Sequence, residues 1–235
     1  MRIILTEFPK SGGTWVTTML GDAQCLPRRD LYTNDDWVRF NIFVHPWYEH
    51  ALSTRFPAEC VIKSHELPDS SLIAGSDKKL HLVRDGRDAV VSWWHHESDL
   101  ELSNGFRERF DENFDDFVRQ RAARWSTYVR AWRETRVPEL RYEAFLADPL
   151  GQLRDALLAL DLPIDQIRLR MAVAANSRQR VHRSFERILP RRNVFVRKAV
   201  VGDWRTHFSP RNIVDFKRVA GDALIELGYE RNEDW

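Results

Sequence analysis

The densest chemistry in the sequence lies near its start. Phe8-Pro9-Lys10-Ser11-Gly12-Gly13-Thr14-Trp15 follows the apolar run Ile3-Ile4-Leu5 and precedes the helix-compatible Val16-Thr17-Thr18-Met19-Leu20. A strand feeding a glycine pair and then a helix start would aim several unpaired backbone N–H groups at one point, where the helix dipole also favours an anion. Lys10 would add a full positive charge, so the stretch reads as a phosphate cradle. The common nucleotide-binding loop, G-x-x-x-x-G-K-[ST], keeps its lysine at the end, beside a metal-binding hydroxyl. Here the lysine comes first. Taken alone, the stretch also fits a plain Pro-Gly turn between strand and helix.

A second set of candidate phosphate ligands lies in Leu80-His81-Leu82-Val83-Arg84-Asp85-Gly86-Arg87-Asp88-Ala89-Val90-Val91-Ser92. A strand would deliver Arg84 to its C-terminal end, the edge where open α/β sheets bind ligands. Ser92 then lies about two turns into the following helix. Arginine offers a planar fork that suits a phosphate monoester, and a hydroxyl adds a donor. By itself the motif also fits a kinase-type strand whose Asp85 holds magnesium, or an arginine paired with Asp85 or Asp88. Between these motifs sits Val61-Ile62-Lys63-Ser64-His65-Glu66-Leu67-Pro68. An imidazole there could take a proton near neutrality, its ordinary pKa being about 6.5; a structural histidine is the alternative. His95-His96 are adjacent, so on a helix they point about 100° apart and chelate one ion poorly. No metal site is expected.

Five segments resemble those of sulfotransferases that use 3′-phosphoadenosine 5′-phosphosulfate (PAPS). The first loop is similar to that family's P-K-S-G-[GT]-T-W, Arg84–Ser92 to R-[ND]-x-x-D-x-x-x-S, and Lys63–Pro68 to K-[ST]-H-x-x-P. Phe195-Val196-Arg197-Lys198-Ala199-Val200-Val201-Gly202-Asp203-Trp204-Arg205 resembles R-K-G-x-x-G-D-W-[KR], with Ala199 in place of the usual glycine. Leu140-Arg141-Tyr142-Glu143-Ala144, followed by Asp148-Pro149, resembles [RY]-Y-E-[DA]-[ML] and D-P. The motifs stand in the family's order and span Phe8 to Arg205.

The resemblance implies a soluble sulfotransferase whose fold is like that of nucleotide kinases. Ser11, Gly12, Gly13 and Thr14 would hold the 5′-phosphate, and Arg84, Ser92, Arg197 and Lys198 the 3′-phosphate, with the amide of Ala199 completing the clamp. Should position 199 need a positive φ, alanine would cost about 1 kcal/mol there. Trp15 would stack on the adenine, Tyr142 lie beside it and Ser177 touch it. His65 would be the general base, Lys10 would stabilise the leaving oxygen, and Lys63 would assist. The products would be 3′-phosphoadenosine 5′-phosphate (PAP) and a small-molecule acceptor sulfated on a hydroxyl or amine. The family's dimer pattern K-x-x-x-T-V-x-x-x-E would fall at residues 205–214, where Pro210 and Val214 replace the valine and the acid, so that dimer is not expected.

Positioning these groups calls for strands at residues 2–7, 60–64, 79–84 and 139–142, where short apolar runs end in polar turns. Helical patterns fall at 14–20, 86–97, 113–134, 149–160, 163–174 and 210–227. Their alternation predicts an α/β fold: a central parallel sheet with helices on both faces. Ser209 before Pro210 is an N-cap, and Gly228 a helix stop. The segment from Asn113 puts Phe114, Phe117, Val118, Ala122, Trp125, Val129 and Trp132 on one face of a scaffold helix. Residues 100–109 and the basic span 178–197 read as loops able to close over a nucleotide.

With 235 residues the chain suits a single domain, 1–235, with a sizeable core. Lys+Arg 36 against Asp+Glu 35 leaves no global field for nucleic acid or an anionic membrane. Cys25 and Cys60 are too few and too far apart for a disulfide framework, and no apolar stretch is long enough for a membrane span or leader, which suggests a cytoplasmic protein. Some of the nine tryptophans and thirteen phenylalanines, several of them at 37–48, could wall an apolar acceptor pocket. The residues alone leave two other readings: an ATP-dependent small-molecule kinase, and a non-catalytic nucleotide- or RNA-binding protein. No motif reveals the acceptor or the oligomeric state.

Overall fold

A computed structural model describes residues 1–31, 57–75, 77–104, 112–177, 180 and 200–235, with 99–104 as backbone only. In chain order its elements are β1 (Arg2–Glu7), α1 (Gly13–Gln24), β2 (Arg28–Asp30), β3 (Cys60–Ser64), β4 (Lys78–Val83), α2 (Gly86–Asn104), α3 (Phe114–Arg133), β5 (Glu139–Arg141), α4 (Tyr142–Ala147), α5 (Pro149–Ala159), α6 (Gln166–Ala175) and α7 (Pro210–Glu226). Short 3₁₀ turns occupy Ser71–Ile73 and Asp203–Thr206. The chain divides into two compact units. One holds Met1–Glu7, Gly12–Val83 and Trp132–Asn176; the other holds Phe8–Ser11, Arg84–Ala131 and Ser177–Trp235.

The five strands among the described residues lie in the first unit and form one parallel sheet of order β2-β3-β1-β4-β5. β1 is its centre, which explains the unbroken Ile3-Ile4-Leu5: a parallel strand covered on both faces has no solvent side to alternate with. Leu5 is in register with Lys63 of β3 on one side and Leu80 of β4 on the other. The chain therefore leaves β1 toward β2 and β3 on one side and later returns to β4 on the other. The C-terminal ends of β1 and β4 flank the point where strand order reverses, the position where open sheets bind ligands. The segments beginning at Phe8 and Arg84 leave from those ends.

The core of this unit joins Ile3, Leu5, Val61, Leu80 and Leu82 of the sheet to Val16, Met19 and Leu20 of α1 and to Phe145, Leu153 and Leu157 of α4 and α5. Helix α1 packs on β3 and α6. His81 is buried in the same unit, stacked on Trp132 at 5.3 Å and 3.2 Å from the Thr6 hydroxyl through Nδ1. Burial pushes its pKa down to about 3, partly opposed by Thr6, so it is a neutral packing residue.

In the second unit Trp125 is fully buried against Gly86, where a Cβ would stand 2.4 Å from the indole. Arg87 is only 1% exposed. Its guanidinium lies 4.1 Å from the Trp204 ring centre and 4.4 Å from that of Trp235. It pairs with Asp85 at 2.7 Å and Glu230 at 2.5 Å. Burial alone would lower its pKa, but the two carboxylates outweigh that and raise it. At the start of α7, Ser209 and Asn212 form a reciprocal capping box ahead of Pro210. Gly228 follows that helix with φ 72°.

Several boundaries differ from the sequence expectation. β2 was not anticipated, because three polar residues carry no periodicity. Helix α2 runs on through Asn104, so residues 100–104 of the expected loop at 100–109 are helical, and the rest of it lies outside the described residues. Tyr142 opens α4 instead of closing β5. Helix α6 starts at Gln166, behind Asp165, whose carboxylate accepts from the amides of Ile167 and Arg168. No helix among the described residues is long and apolar enough to cross a membrane.

Candidate active site

In the first unit, β3 ends at Ser64 and hands the chain to His65. The turn is pinned by two bonds: the Glu66 amide donates to Ser64 Oγ at 3.0 Å, and Trp132 Nε1 donates to the Glu66 carbonyl at 3.1 Å. His65 Nδ1 lies 2.8 Å from the carbonyl oxygen of Glu7. A carbonyl can only accept, so the proton sits on Nδ1 and the lone pair on Nε2. Nε2 is 3.5 Å from Lys63 Nζ, at the outer edge of hydrogen-bond distance. Lys63 in turn pairs with Asp30 of β2 at 2.8 Å. Burial would lower the lysine pKa, but Asp30 and Glu7 more than offset it and hold it above the ordinary value. His65 thus sits beside a fixed ammonium, with its basic nitrogen defined. That arrangement can accept a proton from a hydroxyl or amine.

The start of α1 belongs to the same unit. Gly12 is its N-cap with φ 100°, a conformation open to glycine and strained for other residues. A Cβ at Gly12 would also stand 2.5 Å from the Tyr142 ring. The Gly13 amide donates to Glu7 Oε2 at 2.5 Å. The amide that the family resemblance assigns to the 5′-phosphate thus has a carboxylate of the same chain as its partner. Thr14 is half-buried in the first turn. Trp15 donates from Nε1 to the Asn176 carbonyl at 2.7 Å and meets Tyr142 edge to face at 6.3 Å. The expected adenine neighbours Trp15 and Tyr142 are therefore in contact. Ser177, half-buried, follows Asn176 in the chain.

In the second unit, Lys10 adopts φ 69°, rare for a side-chain-bearing residue, and its carbonyl accepts from Arg84 Nη1 at 2.8 Å. One bond thus joins the first two motifs. The turn closes through the Ser11 amide, which donates to the Phe8 carbonyl at 3.1 Å. The Ser11 hydroxyl is buried and has no hydrogen-bond partner among the described residues. Ser92 is half-buried on α2. Asp88 accepts from the backbone N–H of Gly202 at 2.7 Å and of Trp204 at 2.9 Å. Burial raises its pKa, Arg84 pulls it down, Asp85 pushes it up, and the two amides pull it down again. The bridge ties the Arg84–Ser92 motif to the Gly202-Asp203-Trp204 motif. Arg197, Lys198 and Ala199, together with nearly all of the basic span, lie outside the described residues, as do residues 37–48.

Sequence reasoning missed Glu7, Asp30, Asn176 and the role of Asp88. Only Asp88 carried a signal, as the fixed acid of R-[ND]-x-x-D-x-x-x-S. His95, on α2, packs edge to face on His207 at 5.1 Å.

The chain is similar to known proteins in sequence and in fold. The family model described as "Sulfotransferase domain" matches residues 1–228. Sulfotransferase 1B1 of Mus musculus is 24% identical over 258 residues, covering 94% of this chain and 84% of its own. Sulfotransferase 2B1 of Rattus norvegicus is 26% identical over 249 residues, covering 96% of this chain and 71% of its own. Among solved structures, retinol dehydratase in complex with retinol and PAP superposes with a TM-score of 0.70 at 17% identity, over 95% of this chain and 81% of that one. That last likeness is one of fold.

Proposed function

The chain belongs to the sulfotransferase domain family, and on that premise we propose that it moves a sulfuryl group from PAPS to a hydroxyl or amine of a small molecule, releasing PAP. The observation that carries the catalytic reading is the state of His65. Its Nδ1–H is committed to the Glu7 carbonyl, so Nε2 is the basic atom. His65 Nε2 takes the acceptor's proton as the acceptor oxygen or nitrogen bonds to sulfur, and the bond from sulfur to the bridging oxygen breaks. Lys10 stabilises charge on that departing oxygen, and Lys63 supports the transfer as a permanent cation. Sulfuryl transfer resembles phosphoryl transfer in depending on in-line positioning and charge stabilisation.

The residues present fit a doubly anionic nucleotide. The buried Ser11 hydroxyl, without a hydrogen-bond partner among the described residues, and the left-handed Lys10 backbone suit the 5′ end, with Gly12 and Thr14. Arg84 fits the 3′-phosphate, with Ser92, Arg197, Lys198 and the amide at Ala199 assigned by the family motif. Trp15 and Tyr142, already in contact, fit the adenine, with Ser177 assigned by the family resemblance. An acceptor with an apolar or aromatic body is consistent with the retinol bound by the fold relative. One catalytic domain is supported by a family match running from residue 1 to 228 across both units. The unpaired Cys25 and Cys60 suit a reducing cytoplasm.

Two variants test this reading. His65→Ala should abolish transfer yet keep PAP binding, whereas Arg84→Ala should weaken PAP binding first. Full activity in His65→Ala removes it as the base. A thermal shift with ATP and magnesium but none with PAP would overturn the donor assignment in favour of a kinase, and a shift with RNA alone would favour a nucleic-acid binder.

A further inference from the structure

We propose that Glu7 is the positioning residue of the donor-binding loop, its carboxylate supplying the N-cap of α1 that Gly12 lacks a side chain to provide. The proposal rests on the PAPS-binding reading above.

Helix α1 begins without the usual device. Its N-cap is glycine, that residue makes no side-chain cap bond, and no acidic residue stands in the first turn. Yet the Gly13 amide is satisfied, by Glu7 Oε2 at 2.5 Å. Glu7 is 2% exposed, so this is a buried carboxylate set at the positive end of a helix dipole. The nearby ammonium of Lys63 shares its charge, since Glu7 is one of the two carboxylates that hold that lysine protonated. The acid therefore caps the helix from the last residue of β1, across the lysine-bearing turn.

The two glycines acquire different reasons. Gly12 is required by its left-handed backbone and by the Tyr142 ring. Gly13 has no positive φ; a Cβ there would instead stand 2.3 Å from the Glu7 carboxyl carbon. The second glycine makes room for the acid. The bond also joins the end of β1 to the start of α1, so Phe8–Gly12 is tethered at both ends before any nucleotide arrives.

The test compares wild type, Glu7→Gln and Glu7→Ala by calorimetric PAP titration and by amide hydrogen exchange at Gly13. Glu7→Ala should weaken PAP binding by about tenfold, the order expected for losing a charge-assisted cap. Glu7→Gln, whose amide oxygen still accepts, should lose no more than about threefold. Exchange at Gly13 should be slow in wild type and fast in Glu7→Ala, with β1 and β3 amides still protected. Unchanged or tighter PAP binding in Glu7→Ala overturns the proposal. If that variant does not fold, about tenfold tighter binding in Glu7→Gln overturns it by making the carboxylate a competitor of phosphate. Wild type that fails to bind PAP would sink the donor reading instead, and Gly13 exchange would still decide whether Glu7 is the cap.

Discussion

Replacing Asp88 should be the most informative single change in the second unit. Its carboxylate accepts from the amides of Gly202 at 2.7 Å and Trp204 at 2.9 Å. Hydrogen bonds to a charged group contribute roughly 1.5–3 kcal/mol each, so Asp88→Ala forfeits roughly 3–6 kcal/mol of favourable contact and leaves two inward-facing amides. Against that stands relief of the burial penalty that raises the Asp88 pKa, and of its repulsion by Asp85. The net loss should therefore sit near the lower bound, about 3 kcal/mol. For a chain of this size that lowers Tm by roughly 6–12 °C. Asp88→Asn keeps one acceptor but turns an N–H donor toward the other amide, so it should lose about 2 kcal/mol. Arg197 and Lys198 precede Gly202 closely in sequence, so PAP affinity should fall in both variants. Urea and thermal unfolding, followed by PAP titration, read all three quantities. Melting of Asp88→Ala within about 2 °C of wild type would refute the bridge as a stabilising element.

Two more expectations concern the first unit. Gly12→Ala must hold φ 100° against a Cβ and push aside the Tyr142 ring that lies 2.5 Å from it. The backbone strain costs about 1–2 kcal/mol and the overpacking a similar amount; a circular-dichroism melt indistinguishable from wild type would contradict it. His81 has its folded pKa depressed to about 3, while the unfolded chain protonates near 6.5. The unfolded state binds the extra proton between those values, so stability falls as pH falls through that window, by up to about 1.4 kcal/mol per unit from this group. His81→Phe should flatten the slope of unfolding free energy between pH 7 and pH 5, and an unchanged slope would place the dependence elsewhere.

What the sequence made legible follows a physical division. β1, β3 and β4 showed because parallel strands covered on both faces are continuous apolar runs. α7 showed because Ser209, Pro210 and Asn212 write its start into adjacent letters. β2 did not, since Arg28-Arg29-Asp30 is a run of three polar residues at the edge of the described sheet, paired with β3; the partner of Lys63 was hidden with it. Tyr142 read as a strand residue because propensity cannot say where a strand gives way to a helix. The Asp88 bridge spans 114 and 116 residues, a separation at which only tertiary structure decides partners. The bond from Gly13 to Glu7 spans only six residues. It was missed for another reason: an acid ending a strand looks solvated until the loop beyond it is folded. Of the expected nucleotide ligands, Lys10 and Arg84 are joined through the Lys10 carbonyl, while Arg197, Lys198 and Ala199 rest on their motif.

The central place of β1 in the sheet has a consequence for biosynthesis. Its first partner strand ends at Ser64 and its second at Val83, so the central strand is made first and waits for both neighbours. At roughly 5–20 residues per second, a ribosome needs roughly 4–15 s to go from Leu5 to Leu80. Until Ser64 is made, roughly 3–12 s after Leu5 at that rate, Ile3-Ile4-Leu5 has no native ladder on either side, and its β4 side stays open until Val83, which makes the nascent chain a client for holding chaperones and a hazard when translation outruns them.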